Sequence, residues 1–254
     1  MSNLQINNYS LLISFAIVVI AMAINMKEKL GLGKDIIIGA IRAVIQLFVV
    51  GYLLLSVFHV DNFWVTLLMV LFIVGNASFH AHKNSHGAIK NSLFISAVSI
   101  IVASGSCLGI LLISGAVEWI PEQVMPITGM VAANAMVVVG LVFRNLSDRF
   151  KNERQEVEER LTLGANKLQA SHAVIRNSIQ IAMQPTIDSS KTVGLVSLPG
   201  MMTGLIFAGV DPLLAIRYQV VITFLMLGIS SIASMIASYL TYKQFFNKYY
   251  QLMK

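Results

Sequence analysis

Seven long apolar runs order the chain: Tyr9–Met26, Ile36–Phe58, Phe63–Phe79, Ser92–Ser114, Ile127–Phe143, Thr192–Val210 and Ala215–Tyr239. A helix rising ~1.5 Å per residue needs roughly 17–25 apolar residues to cross about 30 Å of hydrocarbon, so each run is long enough to cross a membrane. Phe63–Phe79 is at the lower limit. The polar connectors alternate in kind. Residues 27–35, 80–91, 144–178 and the tail 243–254 carry 3, 2, 7 and 3 Lys/Arg, fifteen of the eighteen in the chain. The N-terminal octet and connectors 59–62, 115–126 and 211–214 carry none. Basic loops stay in the cytoplasm, so the pattern predicts an all-α polytopic protein with about seven transmembrane helices, N-outside and C-inside. It reads as one membrane-spanning domain over residues 1–254, multi-pass in the cell (inner or plasma) membrane.

The sixth run differs from the rest. It contains Pro199 together with Gly194, Gly200, Gly204 and Gly209. Proline removes a backbone donor and clashes with the preceding turn, so this span is expected to be kinked or broken near its middle. Freed backbone groups in lipid need partners within the protein, which places the segment among other helices. Gly200 and Gly204 offer a smooth face for close helix approach. The string from Ser197 through Pro199, Gly200, Met201 and Met202 to Gly204 is therefore a candidate hinge or pore-lining break, with plain helix packing as the other reading.

Residues 144–190 form the one substantial non-membrane element. Leu146, Phe150, Val157 and Leu161 share a helical stripe ringed by Arg149, Lys151, Arg154, Glu156, Glu158 and Glu159. Gly164 suits the left-handed residue that ends a helix, and Asn166 the N-cap of a second helix with a stripe of Leu168, His172, Ile175 and Ile179. Pro185 is expected to stop or kink that helix. The result is a cytoplasmic helix–Gly–helix elbow, either lying on the inner leaflet or offered to a partner protein.

Composition narrows the function classes. The chain is 56% hydrophobic and only 12% charged, about half the charge of a soluble domain. Its net charge of +6 lies in short loops beside apolar runs, so contact with anionic headgroups explains it better than nucleic acid does. Cys107, the single cysteine, excludes an intrachain disulfide. The first run has its charges after it, not before, so it is expected to be a retained span rather than a signal peptide. No Gly-x-x-x-x-Gly-Lys-Ser/Thr loop occurs, and a 35-residue connector cannot fold a nucleotide-binding domain. This chain is thus expected to bind no cofactor itself and to be no enzyme, ATP hydrolysis falling to another subunit. Neither a Ser–His–Asp set nor a His-Glu-x-x-His helix appears.

Charged and ligating side chains within the spans are the candidate chemistry. Arg42 and Gln46, one turn apart, either snorkel or help gate the cytoplasmic side. Lys191 is placed to pair with Asp188, and Arg217 with Asp211. The outer connectors hold Asp61, Glu118, Glu122 and Asp211, which would draw a cation outward. Met130, Asn134, Met136, Met201 and Met202 are soft or neutral candidate ligands, although a thioether suits Cu(I) better than ferrous ion. His80, His82 and His86 are a candidate metal cluster, or simply a solvated polar loop; the second and third have the i, i+4 spacing that turns two imidazoles to one ion.

Two strings resemble known families. Glu158 followed six positions later by Gly164-Ala165, with Glu156 and Glu159 beside it, resembles the coupling loop of ABC-transporter permeases. Glu159 and Arg160 stand where that motif has paired alanines. The stretch Asp188-Ser189-Ser190-Lys191-Thr192-Val193-Gly194-Leu195-Val196-Ser197-Leu198-Pro199-Gly200-Met201-Met202-Thr203-Gly204 is similar to the signature of the FetB-like iron-export permeases. Their plant relatives are aluminium-tolerance half-transporters. Arg42-Ala43-Val44-Ile45-Gln46-Leu47, Asn134-Ala135-Met136-Val137-Val138-Val139-Gly140-Leu141 and Ala208-Gly209-Val210-Asp211-Pro212 support the match, which runs from about residue 27 to 245. The order Arg144-Asn145 departs from the commonest family form. The resemblance implies an ABC permease exporting iron or another metal cation, two copies working with two cytosolic ATPase subunits that hold ATP and Mg. Two alternatives stay open: a secondary transporter or channel, which would ordinarily carry carboxylates at mid-membrane, and a non-transporting scaffold that recruits a cytosolic partner.

Overall fold

The computed structural model describes residues 8–57, 62–85, 87, 89–247, 249 and 251–253, and all its named elements are helical. Among the described residues five helices are long and apolar enough to cross a membrane, and a shorter apolar helix covers Phe15–Lys27. The chain divides into two compact units, residues 1–61 and 62–254. The first holds α1 (Asn8–Lys27) and α2 (Gly33–Val57). Buried Asn25 pins the turn between them by accepting the Leu32 backbone N–H at 3.0 Å.

The second unit contains α3 (Phe63–Lys83), α4 (Ser92–Ile113), α5 (Pro121–Asn152), α6 (Arg154–Thr162), α7 (Lys167–Thr192), α8 (Gly200–Phe207), α9 (Pro212–Thr241) and a closing 3-10 turn, Tyr242–Phe245. Side-chain contacts give their directions. Phe63 packs on Trp119 at one end and Arg144 donates to Asn84 Oδ1 at 2.7 Å at the other, so α3 and α5 run parallel. Asn134 of α5 bonds Ser230 of α9 near the middle of both helices, and Phe150 stacks on Phe245 at 4.4 Å beyond the end of α9, so those two are also parallel. Ser96 donates to Ser78 O at 2.8 Å, which turns α4 back against α3. α7 returns as well: Lys167 meets the tail at Asn247 O, while Thr186 meets Ser230.

Small residues share the interior of this bundle with Val, Ile, Leu and Phe143. α4 buries Ser92, Ser96, Ser99, Ala103, Ser104 and Cys107, and α9 buries Ser230, Ala233, Ser234, Ala237 and Ser238. Leu71, Phe72, Phe94 and Phe224 point outward. Lipid tails are as apolar as leucine, so packing rather than hydrophobic transfer drives helix association, and small side chains let backbones approach. Buried hydroxyls donate to carbonyls one turn back, as Ser78 does to Val74 O and Ser99 to Ile95 O. Gly140 serves such an approach: a Cβ there would lie 2.7 Å from Asn84 Nδ2, the side chain that Arg144 holds.

Four expectations need correction. α5 is 32 residues long, about 48 Å at the helical rise, so Leu146 and Phe150 belong to it, and the elbow's first helix is the separate α6 after a break at Glu153. Pro185 does not stop the second elbow helix; α7 runs 26 residues and carries the proline inside it. The buried stripe of α7 is Ala170, Ser171, Val174, Ile175, Ser178, Ala182 and Thr186, whereas Leu168 and His172 are exposed. Thr192–Val210 is not one spanning helix, because its only α-helix, α8, has eight residues and rises about 12 Å.

Candidate functional site

The chain must travel from the elbow end of α5 to the opposite end, where α9 begins, and it does so in pieces. α7 covers the first part, ending near mid-bundle. A turn over 193–199 follows, and α8 completes the route, its Met201 lining a cleft shared with Glu122 near the start of α5. The turn satisfies its own backbone: Gly194 N donates to Ser197 O at 2.9 Å, and Val196 N to Thr192 O at 3.0 Å. Pro199 caps α8, where its missing N–H costs nothing. The break expected from the sequence is present, but it lies ahead of Pro199 rather than within a helix. Among the described residues no other helix lies within 4 Å of a Cβ built at Gly200 or Gly204, so the close approach expected of that pair is not made there.

Three clefts wind around α9 beside this broken leg. The middle one, about 350 Å³, lies among α5, α7 and α9 and brings together the predicted residues Met130, Asn134, Ser197 and Pro199. The far one, about 620 Å³, holds Met201, Glu122 and Arg217. The side one, about 400 Å³, holds Met202. Met130 thus shares a cleft with Asn134, while the candidate ligands Met201 and Met202 lie in two others. Asn134 ties three helices: its amide donates to Ser230 Oγ at 2.9 Å and Met226 O at 3.2 Å, and its carbonyl accepts from Thr186 at 3.4 Å. Ser230 in turn donates to Thr186 Oγ1 or Met226 O, at 2.9 and 2.8 Å.

Thr186, Ser190, Gln219, Thr223 and Ser230 escaped the sequence reading. Gln219 gave a usable signal, being an uncharged polar residue inside the seventh apolar run. It is only 8% exposed, and its Oε1 has no hydrogen-bond partner. The serines and threonines gave none, since such residues are common in membrane helices as packing groups.

At the elbow, Gly164 has φ +92°, the left-handed conformation expected there, and Asn166 and Gln169 form a reciprocal capping box at the start of α7. Glu156, Glu158, Glu159 and Gly164 are exposed and Ala165 is half-buried. The glutamates are held within α6: Glu158 accepts from Arg154 at 2.7 Å, Glu156 from Arg160 at 2.5 Å and Glu159 from Gln155 at 2.8 Å. Arg154 also reaches Leu252 O at 3.2 Å and Lys167 reaches Asn247 O at 3.1 Å, so the C-terminal segment closes over the elbow. Phe150 lies under it, against Phe245 and Phe246.

Other expected pairs turn out differently. Lys191 does pair with Asp188, at 3.7 Å. The Asp211–Arg217 clamp does not form; Asp211 caps α9, accepting from Leu213 N and Leu214 N, because a carboxylate is best placed at the orphan N–H groups of a helix start. Arg42 and Gln46 are exposed on α2. His82 Nδ1 sits 2.6 Å from Ser92 Oγ and His80 is exposed; His86 and Asp61 lie outside the described residues. Among the described residues no group of three His, Cys, Asp or Glu could hold a metal ion.

No solved structure matches the chain. It is 51% identical over 253 residues to the probable iron export permease protein FetB of Escherichia coli, covering 100% of this chain and 97% of that one. It is 35% identical to the membrane protein STAR2 of Oryza sativa subsp. japonica, over 93% of this chain and 83% of that one. The protein ALUMINUM SENSITIVE 3 of Arabidopsis thaliana is 33% identical, over 94% of this chain and 87% of that one. A family model matches residues 8–246. With its apolar helices and a broken leg beside three clefts, the chain is a multi-pass membrane protein and belongs to the uncharacterised protein family UPF0014.

Proposed function

We propose that this chain is the permease subunit of an ABC transporter that exports iron or another metal cation from the cytoplasm. A separate cytosolic ATPase holds ATP and Mg and drives it, and two copies of the chain work with two ATPases. The observation that carries this reading is α7, a helix of 26 residues, about 39 Å long, whose two ends are the elbow and the break at the clefts. A rod so placed passes a push at Gly164 directly to the turn at 193–199. The 51% identity to a probable iron export permease supports the substrate class. In this reading the elbow is cytoplasmic, the chain crosses seven times, and the sixth crossing is the composite of α7, the turn and α8. Glu156, Glu158, Glu159, Gly164 and Ala165 face the ATPase, and Met130, Asn134, Ser197, Pro199, Gly200, Met201, Met202 and Gly204 line or flex the path.

ATP-dependent cation uptake into inside-out vesicles containing the chain and its co-purified ATPase tests the proposal. Gly164→Val puts a β-branched residue in a left-handed position. Transport should fall about tenfold, within the ordinary range of coupling free energies, while ATP hydrolysis continues. Uptake driven by an ion gradient alone would make the chain a secondary carrier. A reporter at residue 2 should be external and one at the C-terminus cytoplasmic; both on one side would remove the composite crossing.

A further inference from the structure

Thr186 marks the middle of the bundle. Its hydroxyl meets Asn134 of α5 at 3.4 Å and Ser230 of α9 at 2.9 Å. On α5 no charged side chain falls between Glu122 and Arg144, and Asn134 stands twelve residues from the first and ten from the second. From Arg217 on α9 to Lys243 just beyond it none falls either, and Ser230 stands thirteen residues from each. At the helical rise these intervals are about 15–20 Å, so two helices independently set Thr186 midway across an uncharged layer. Asp188 and Lys191 follow it on α7, at most about 8 Å further along. They pair at 3.7 Å, with side chains 55% and 69% exposed, and they line none of the three clefts. In the turn beyond them Leu195 and Val196 are more exposed still.

Hydrocarbon accepts neither exposed charges nor exposed irregular backbone; at this depth both occur only where they face water or other protein. This face of α7 therefore does not face lipid. Asp188 is the one carboxylate at this depth among the described residues of 62–254. Gln184 Nε2 donates to both of its oxygens, at 2.9 and 3.0 Å, which orients the carboxylate. One carboxylate is too little for a dication, and among the described residues no group of three His, Cys, Asp or Glu completes a site within the chain. A two-fold axis brings a residue near its own counterpart. Two copies facing each other along α7 supply two carboxylates, which match the charge of one dication.

We propose that the exposed face of α7 lines an aqueous path between two copies of this chain, where the two Asp188 carboxylates bind the cargo dication and Lys191 holds Asp188 while the path is empty. This rests on the export reading above and names its binding group, an oxygen ligand suited to harder ions such as Mn²⁺. Cargo and the Lys191 ammonium compete for the same carboxylate.

The test uses inside-out vesicles holding the full chain and its ATPase, with Mn²⁺ as the probe. Asp188→Asn keeps the shape and should lower ATP-dependent uptake about tenfold or more, at least the loss caused by removing a group that only supports a metal's ligands. Lys191→Met removes the competing ammonium and should lower the half-saturating Mn²⁺ concentration; a pair that merely braced the fold would give losses in both variants. Asp188→Cys supplies a readout independent of transport. Its thiol should react with a membrane-impermeant reagent, be shielded by Cd²⁺, and be joined between copies by a short bifunctional thiol reagent. The wild-type chain, whose one thiol is the buried Cys107, should do none of these. Leu195→Cys, outside the ion pair, gives the same labelling and joining where position 188 tolerates no change. Wild-type uptake in Asp188→Asn, or introduced thiols that stay inert and unjoined, overturns the proposal. No ATP-dependent uptake by the wild type, with labelling and joining intact, overturns the export reading instead. Uptake on an ion gradient alone that still needs Asp188 also overturns the export reading and leaves the carboxylate its role.

Discussion

At the elbow Leu146, Phe150 and Val157 are buried while Glu156, Glu158 and Glu159 face outward; along α4 and α9 serines and alanines are buried among Ile and Leu, and Phe94 and Phe224 face outward. The two regions are a few helical turns apart in one bundle, yet polar and small residues are treated differently in them. Water around the elbow makes burial of large apolar groups favourable, by ~1.5–3 kcal/mol for each such side chain. Lipid around the spans removes that gain, and what remains is close packing, aided by hydroxyls such as those of Ser78, Ser99 and Ser230 that donate within the protein. A stripe of large apolar residues therefore marks the inside of the elbow, whereas in the bundle such residues lie on both sides, Ile100, Phe143 and Ile229 inside and Phe72, Phe94 and Phe224 outside. The stripe expected on α7 is half right: Ile175 is buried and Ile179 packs on the core, whereas Leu168 and His172 are exposed. That helix starts at the elbow and ends between the spans, and the stripe chosen by apolar size points Leu168 away from the core.

This contrast can be broken from either side. Phe150→Ala should have the largest effect, about 3–5 kcal/mol, because a stacked, buried ring leaves a cavity under the C-terminal segment. Unfolding in detergent and faster proteolysis after residue 245 would report it; a loss below about 1 kcal/mol would mean the ring is not packing as in a soluble core. Ser234→Leu, the addition of apolar bulk to the membrane interior, should destabilise by about 1–3 kcal/mol, since α4 and α9 have no room for it. Phe224→Ala, which removes far more apolar surface, should change stability by no more than about 0.5 kcal/mol because the ring is exposed. If Phe224→Ala proved the costlier of the two, lipid would not be the solvent at that face.

Smaller effects sharpen the comparison. A double-mutant cycle on Asn134 and Ser230 should give a coupling near 0.6 kcal/mol, the average for hydrogen bonds between membrane helices. Glu158→Gln breaks an ion pair with Arg154 that is roughly half-exposed on both sides, so its stability effect should be about 0–1 kcal/mol. Its effect on ATP-driven uptake should be greater than that on unfolding; equal wild-type values for both would remove Glu158 from the coupling surface.

Local chemistry made part of this protein legible from its residues. Gly164 and Asn166 act within one turn of themselves, so a left-handed glycine and a capping amide could be assigned from sequence alone, and the structure has both. Pro199 with its neighbouring glycines likewise announced a break, because proline's effect is confined to its own backbone. The long apolar runs followed from length and hydropathy for five helices and for the shorter Phe15–Lys27. Tertiary structure decided the rest. The sixth run does not mark a helix of its own, because its first residue closes α7, whose last turns are polar with Gln184 and Asp188 exposed, and α8 starts only at Gly200. Asp211 had two chemically sensible partners, Arg217 and the start of α9, and only the backbone geometry chose the helix start. Ser190, Gln219 and Thr223 lie on two helices and meet only when α7 and α9 pack. Periodicity finds the faces of one helix, but in lipid both faces are apolar, and which one is covered depends on where neighbouring backbones can approach.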